Sequence, residues 1–159
     1  MLALWLAGEG GCDAGAGNGP PPSGQAGAGG CPTGPQAQFV LHVTAEDGPV
    51  PADTSLRVKW SVGEEPEFLL SDPTTWKTLE DGSNLVCQVD ADAGLPPGGL
   101  DELVCELWTS GATEVEVSAT GYGTDKRTLM PEQIEGCDGP IPADVPIELV
   151  RALDGGAGE

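Results

Sequence analysis

Positive charge is scarce in this chain. Six Lys and Arg stand against 26 Asp and Glu, a formal net charge of −20 over 159 residues. Nucleic acid is excluded as a partner, because backbone phosphates must be met by clustered cations. Direct docking on anionic lipid headgroups is disfavoured for the same reason. Long hydrophobic runs are missing too. No stretch approaches the roughly 20 apolar residues of a transmembrane helix. Histidine occurs once, at His42. There is no HExxH helix and no Ser in a GxSxG turn, so neither a zinc hydrolase nor a nucleophile elbow is readable. Paired carboxylates of the glycosidase kind carry no weight here, since 26 acids guarantee accidental pairs. The expectation is a protein that is not an enzyme and needs no cofactor, with a hydrolase as the third-ranked reading.

What the chain does have is Gly, Pro and Ala, concentrated at its start. A short apolar run, Met1-Leu2-Ala3-Leu4-Trp5-Leu6-Ala7, leads to Cys12, and a tract rich in Gly, Ala and Pro continues to about Gln38. Such a tract cannot bury enough apolar surface to offset its ordering. It reads as a linker, stiffer at Pro20-Pro21-Pro22. An apolar segment, a cysteine and a flexible tether resemble a bacterial lipoprotein, with Cys12 as the lipidated residue. The segment departs from the lipoprotein pattern at Glu9 and in having no Lys or Arg before Arg57. The division expected is a signal-like segment over 1–12, a disordered linker over 13–37, a β-domain over 38–153 and a disordered tail over 154–159. The location implied is the cell envelope, at the outer membrane or in the periplasm. The partners implied are the membrane itself, through a lipid on Cys12, and an envelope protein or polysaccharide.

Cysteine is present in an odd number, five. Setting Cys12 aside leaves Cys31, Cys87, Cys105 and Cys137, an even set that two disulfides would consume. That count fits an exported, oxidising setting better than a cytosolic one. Zinc is a poor alternative, with no CxxC pair and a single histidine.

The remainder is patterned with period two. Phe39, Leu41, Val43 and Ala45 alternate with polar neighbours. So do Leu56, Val58, Trp60 and Val62, then Val115, Val117 and Ala119, and finally Val145, Ile147 and Leu149. Turn residues separate these segments. Each has one apolar and one mainly polar face, which predicts an all-β fold, a single antiparallel β-sandwich. His42 falls on a polar face and is expected at the surface. Helix is limited to one or two turns, or a loop, over Asp72–Leu79, where Asp72 can cap, Pro73 can start and Gly82 can stop it.

Leu85-Val86-Cys87-Gln88-Val89 and Leu103-Val104-Cys105-Glu106-Leu107 are near-repeats. Folded as a hairpin about Pro96, they set Leu85 opposite Leu107, Cys87 opposite Cys105 and Val89 opposite Leu103. Directly opposed residues lie within disulfide range, so this register predicts a Cys87–Cys105 bridge and leaves Cys31–Cys137 as the second. A bridge from one hairpin cysteine to Cys137 is the rival pairing. The same register would gather Asp90, Asp92, Asp101 and Glu102 around the turn, with Asp90 opposite Glu102. Like charges facing each other destabilise a sheet. A cation is one remedy, and carboxylates on a loop suit Ca²⁺. The Asp90-x-Asp92 spacing starts like an EF-hand loop but fails at Gly94 and Leu95, and a solvated acidic tip is the simpler reading.

Trp60 lies on the apolar side of its strand and is expected in the core, whereas Trp76 and Trp108 can be core lids or partner contacts. Val115–Tyr122, with its Gly121-Tyr122 corner, the closing Val145-Pro146-Ile147-Glu148-Leu149 and the opening Leu41–Pro51 together resemble transthyretin-like modules. These include carboxypeptidase regulatory-like, PEGA-type and Cna B-type domains. The likeness covers the two ends of the domain and leaves out the cysteine hairpin. It implies a non-catalytic extracytoplasmic module for adhesion, spacing or ligand presentation. The leading expectation is therefore a lipid-anchored binding or structural module. A soluble secreted domain that binds calcium or a basic partner ranks second.

Overall fold

The computed structural model describes residues 34–132 and 141–152. Among these residues nine strands follow one another: β1 (Phe39–Ala45), β2 (Ser55–Trp60), β3 (Gly63–Glu64), β4 (Phe68–Leu69), β5 (Leu85–Cys87), β6 (Leu103–Leu107), β7 (Thr113–Ser118), β8 (Asp125–Leu129) and β9 (Ala143–Leu149). They form two sheets. One has the order β5-β6-β1-β9; the other runs β3-β2-β7-β8, with β4 also on β2. The expected all-β class is found.

The expected all-antiparallel pairing is not. β1 and β9 run parallel over seven pairs, from Phe39 with Ala143 to Ala45 with Leu149, so the four-stranded sheet is mixed. Period-two alternation says which face a strand buries. It carries no information about the partner's direction, and a parallel pair between the first and last strands leaves no local trace.

Alternation becomes burial in both sheets. Phe39, Leu41 and Val43 of β1, Leu103, Cys105 and Leu107 of β6, and Val145, Ile147 and Leu149 of β9 point inward. Leu56 and Val58 of β2, Phe68 of β4, and Val115 and Val117 of β7 come from the second sheet, and all of these residues belong to one hydrophobic cluster. Burying a Val, Leu, Ile or Phe side chain stabilises by about 1.5–3 kcal/mol each, so this cluster is the main source of stability. Trp60 and Trp76 pack on its margin, and Trp76 Nε1 donates to the Leu69 carbonyl at 3.0 Å. Val62 does not follow the pattern. β2 stops at Trp60, and Val62 sits in the following turn, 80% exposed.

β3 and β4 are two halves of one interrupted strand. Lys59 faces Glu64 and Trp60 faces Gly63 in the first half; Ser55 faces Leu69 and Leu56 faces Phe68 in the second. The register slips by one residue between them, a β-bulge at Glu65-Pro66-Glu67 where proline has no N–H to donate. The 72–82 segment forms two single 3₁₀ turns, Pro73–Thr75 and Leu79–Asp81. Asp72 caps the first through the Thr74 N–H at 3.0 Å, and Gly82 ends the second in the left-handed region.

The cysteine hairpin has the register its near-repeat implies. Leu85 faces Leu107 and Cys87 faces Cys105, and the Cys87–Cys105 disulfide is formed with Cα atoms 3.9 Å apart. Backbone bonds join Trp108 N–H to Asn84 C=O and Gln88 N–H to Val104 C=O. The cysteines therefore occupy a non-hydrogen-bonded pair, the position where opposed strands come closest. Beyond Gln88 the register breaks. The Val89 N–H turns back to the Cys87 carbonyl, so Val89 does not pair with Leu103 and Asp90 does not pair with Glu102. Cys12, Cys31 and Cys137, and with them the expected lipid site and second bridge, lie outside the described residues.

Candidate functional site

The mixed sheet turns His42 outward at its centre. Val104 of β6 and Pro146 of β9 stand on either side of it. Two carboxylates reach it diagonally. Glu102, just before β6, lies 2.9 Å from Nδ1, and Asp144 of β9 lies 3.3 Å from Nε2. The ring is about one-third exposed. Burial by itself lowers its pKa, but the two hydrogen bonds and the charges of Glu102 and Asp144 prevail and raise it above the ordinary 6.5. The carboxylates take opposite nitrogens, so they cannot share one metal ion with the ring in this arrangement. Alternation identified His42 as a surface residue; its partners are 60 and 102 positions away in the chain, and no local signal reveals them.

A second cluster is built on the Gly121-Tyr122 corner. Tyr122 Oη donates to Asp47 Oδ1 at 2.6 Å. Arg151 Nε donates to the other oxygen of Asp47, and its guanidinium lies 5.3 Å from the Tyr122 ring centroid. The Tyr122 hydrogen bond, followed by that of Arg151, holds the Asp47 carboxyl below its usual range. Gly123 N–H to Val150 C=O and Ala152 N–H to Gly121 C=O complete the clasp. It ties the end of β9 to the turn after β1.

The two sheets are linked at both flanks by single side chains. Glu65, in the bulge, accepts from the Asn84 N–H at 2.9 Å, from Asn84 Nδ2 at 2.8 Å and from Ser83 Oγ at 3.2 Å, which fixes the start of β5. Arg127 of β8 forks onto Asp125 with two 2.7 Å contacts and donates a third hydrogen bond, at 2.8 Å, to the Pro146 carbonyl of β9.

The outer faces differ in charge. On the five-stranded sheet Arg57 faces Glu116 and Lys59 faces Glu114 across β2 and β7. Lys126 of β8 sits 3.1 Å from Glu114 and 3.7 Å from Glu116. Over the bulge lies an open depression of about 310 Å³ lined by Arg57, Lys59, Glu64, Glu65, Pro66 and Glu67. Its charges pair with each other, Arg57 with Glu67 and Lys59 with Glu64. On the four-stranded sheet the outward positions of β1, β5, β6 and β9 hold no Lys or Arg. Glu106, Asp144 and Glu148 alternate there with Val40, Val86, Val104 and Pro146.

The four carboxylates considered for calcium are not gathered into one site among the described residues. Asp90 Oδ1 accepts from the N–H groups of Asp92 and Ala93 in its own turn, and Glu102 is engaged with His42. Among the described residues no group of three or more His, Cys, Asp or Glu side chains is arranged to hold a metal ion. Trp108, half-buried, donates from Nε1 to Glu106 at 3.2 Å.

No family model matches this chain, and no curated protein matches it.

Proposed function

We propose that this chain is a non-enzymatic binding or structural module of the bacterial envelope, anchored through a lipid on Cys12. In this reading the two sheets pack as a single β-sandwich of the transthyretin-like kind. The observation that carries it is the use made of the reactive side chains. His42, Asp47, Tyr122, Arg127 and Arg151 each join one strand or turn to another, which is what a scaffold requires. The buried Cys87–Cys105 bridge supports an oxidising compartment. Membrane and envelope partners follow from the tether, not from the β-domain.

The test is the intact mass of the protein from its native host, with detergent phase partitioning. The expected result is a mature chain starting at acylated Cys12 that enters the detergent phase. An unmodified, aqueous chain would remove the anchor from this reading.

One observation favours a second reading, a soluble domain that takes a basic partner. The outer face of the four-stranded sheet is acidic, holds no Lys or Arg, and interleaves its carboxylates with apolar side chains. Lysine and arginine stems can lie on such apolar surface with their heads at the acids. Backbone NMR shifts during titration with a lysine-rich peptide would mark β1, β6 and β9 if this holds. Shifts spread over every acidic region would show charge attraction alone.

A further inference from the structure

We propose that His42 is a proton-operated staple, which ties both neighbouring strands of the mixed sheet to β1 when charged and lets go of β9 when neutral. A neutral imidazole has one N–H and one lone pair. Here each ring nitrogen faces a carboxylate oxygen, Glu102 at 2.9 Å and Asp144 at 3.3 Å. Only the imidazolium donates to both. In either neutral tautomer one lone pair points at an anion, which is repulsive. The longer contact is the one to yield, so the proton stays on Nδ1 for Glu102, and Asp144 of the edge strand β9 is released.

The surroundings favour the cation. Val40 and Thr44 flank His42 on β1 and carry no charge. Glu102 and Glu106 approach from the β6 side, Asp144 and Glu148 from β9, while Val86 and Gln88 of the β5 segment are neutral. The Arg127 guanidinium, which reaches the carbonyl of Pro146, the β9 residue paired with His42, is committed there and to Asp125. The pKa of the ring is raised in the folded chain. A group raised on folding contributes fully below its unfolded value and loses that contribution as pH rises through the folded value. The staple is therefore closed below pH 6.5 and opens above the folded midpoint, adding one net negative charge to a face that is already acidic.

The chain has one histidine, so its ring signals need no assignment. NMR titration of the full chain should give a midpoint above 6.5, with both ring nitrogens protonated on the acid side. E102Q and D144N should each lower the midpoint, E102Q more. A midpoint at or below 6.5 that neither substitution moves would overturn the proposal. Stability supplies a second reading. H42Q should flatten the change in melting temperature between about pH 5.5 and 8.5 relative to the parent. An unchanged pH profile in H42Q would equally overturn it.

Discussion

Thr54 is the residue where the core is least satisfied. Its backbone is fully used, with the N–H on the Pro51 carbonyl and the C=O accepting from Leu70. The buried Oγ1 has no hydrogen-bond partner among the described residues. A buried polar atom left alone costs about 1–3 kcal/mol. Thr54→Val keeps the branched shape and removes the orphan, so it should raise stability by on the order of 1 kcal/mol. Thermal or denaturant melts would check this, and a fall would reveal a partner for the hydroxyl. Gly99 makes the opposite case. Its φ is +79°, and an added Cβ would sit 2.8 Å from the Pro49 side chain. Gly99→Ala should therefore cost about 1–3 kcal/mol, seen as a lower denaturant midpoint, because it strains the approach that lets Val50 pair with Leu100. Neither property is legible in the sequence. A threonine before a strand and a glycine after Pro-Pro-Gly look like ordinary turn residues, and what surrounds them is set by segments far away in the chain.

The elements show what was legible and why. Strands with a clean apolar stripe, β1, β2, β7 and β9, stand out from alternation because each buries one face. The β5–β6 register could be read because aligning the two near-repeats puts Leu85 with Leu107 and Cys87 with Cys105 on one side, although the third pair it implied, Val89 with Leu103, does not form. β3 and β4 could not, being two residues each and split by a bulge. β8 has no buried position at all, so hydrophobic patterning passes over it. The disulfide allows a quantitative expectation. A bridge closing an 18-residue separation restricts the unfolded chain by about 3 kcal/mol. C87A with C105A should lower the unfolding free energy by roughly that amount, measured as a shift in denaturant midpoint. The sheet margins are also guarded. On β5 the outward N–H and C=O of Leu85 are both met by Ser83 Oγ. On β9 the proline at 146 offers no N–H, and Arg127 occupies its carbonyl. An edge interrupted at such a point is a poorer template for strand addition by other chains.

At the scale of the whole molecule, charge and topology dominate. A net charge of −20 makes the folded chain repel itself, and salt screens that repulsion. Melting temperature should rise with sodium chloride at neutral pH; insensitivity would mean that the acids are spaced widely enough to ignore one another. Acidification acts with two signs. Asp47, Asp53, Asp72 and Asp81 all have pKa values lowered by hydrogen bonds in the folded chain. Their contribution is present above 3.8 and fades as pH falls through their folded values. His42 contributes below 6.5 and fades above its folded value. Both are in force between 3.8 and 6.5, where repulsion is also easing. The stability maximum should lie in that interval, and a maximum at about pH 7 or above would contradict this balance. The parallel β1–β9 pair bears on mechanics. Two adjacent strands that run the same way begin at one pole of the sheet and end at the other, roughly 20 Å apart over seven residues. Tension applied between residue 38 and residue 150 would slide β1 along β9 and strain their whole ladder of hydrogen bonds at once, instead of unzipping it bond by bond. A domain strung between two attachments would hold best along that axis.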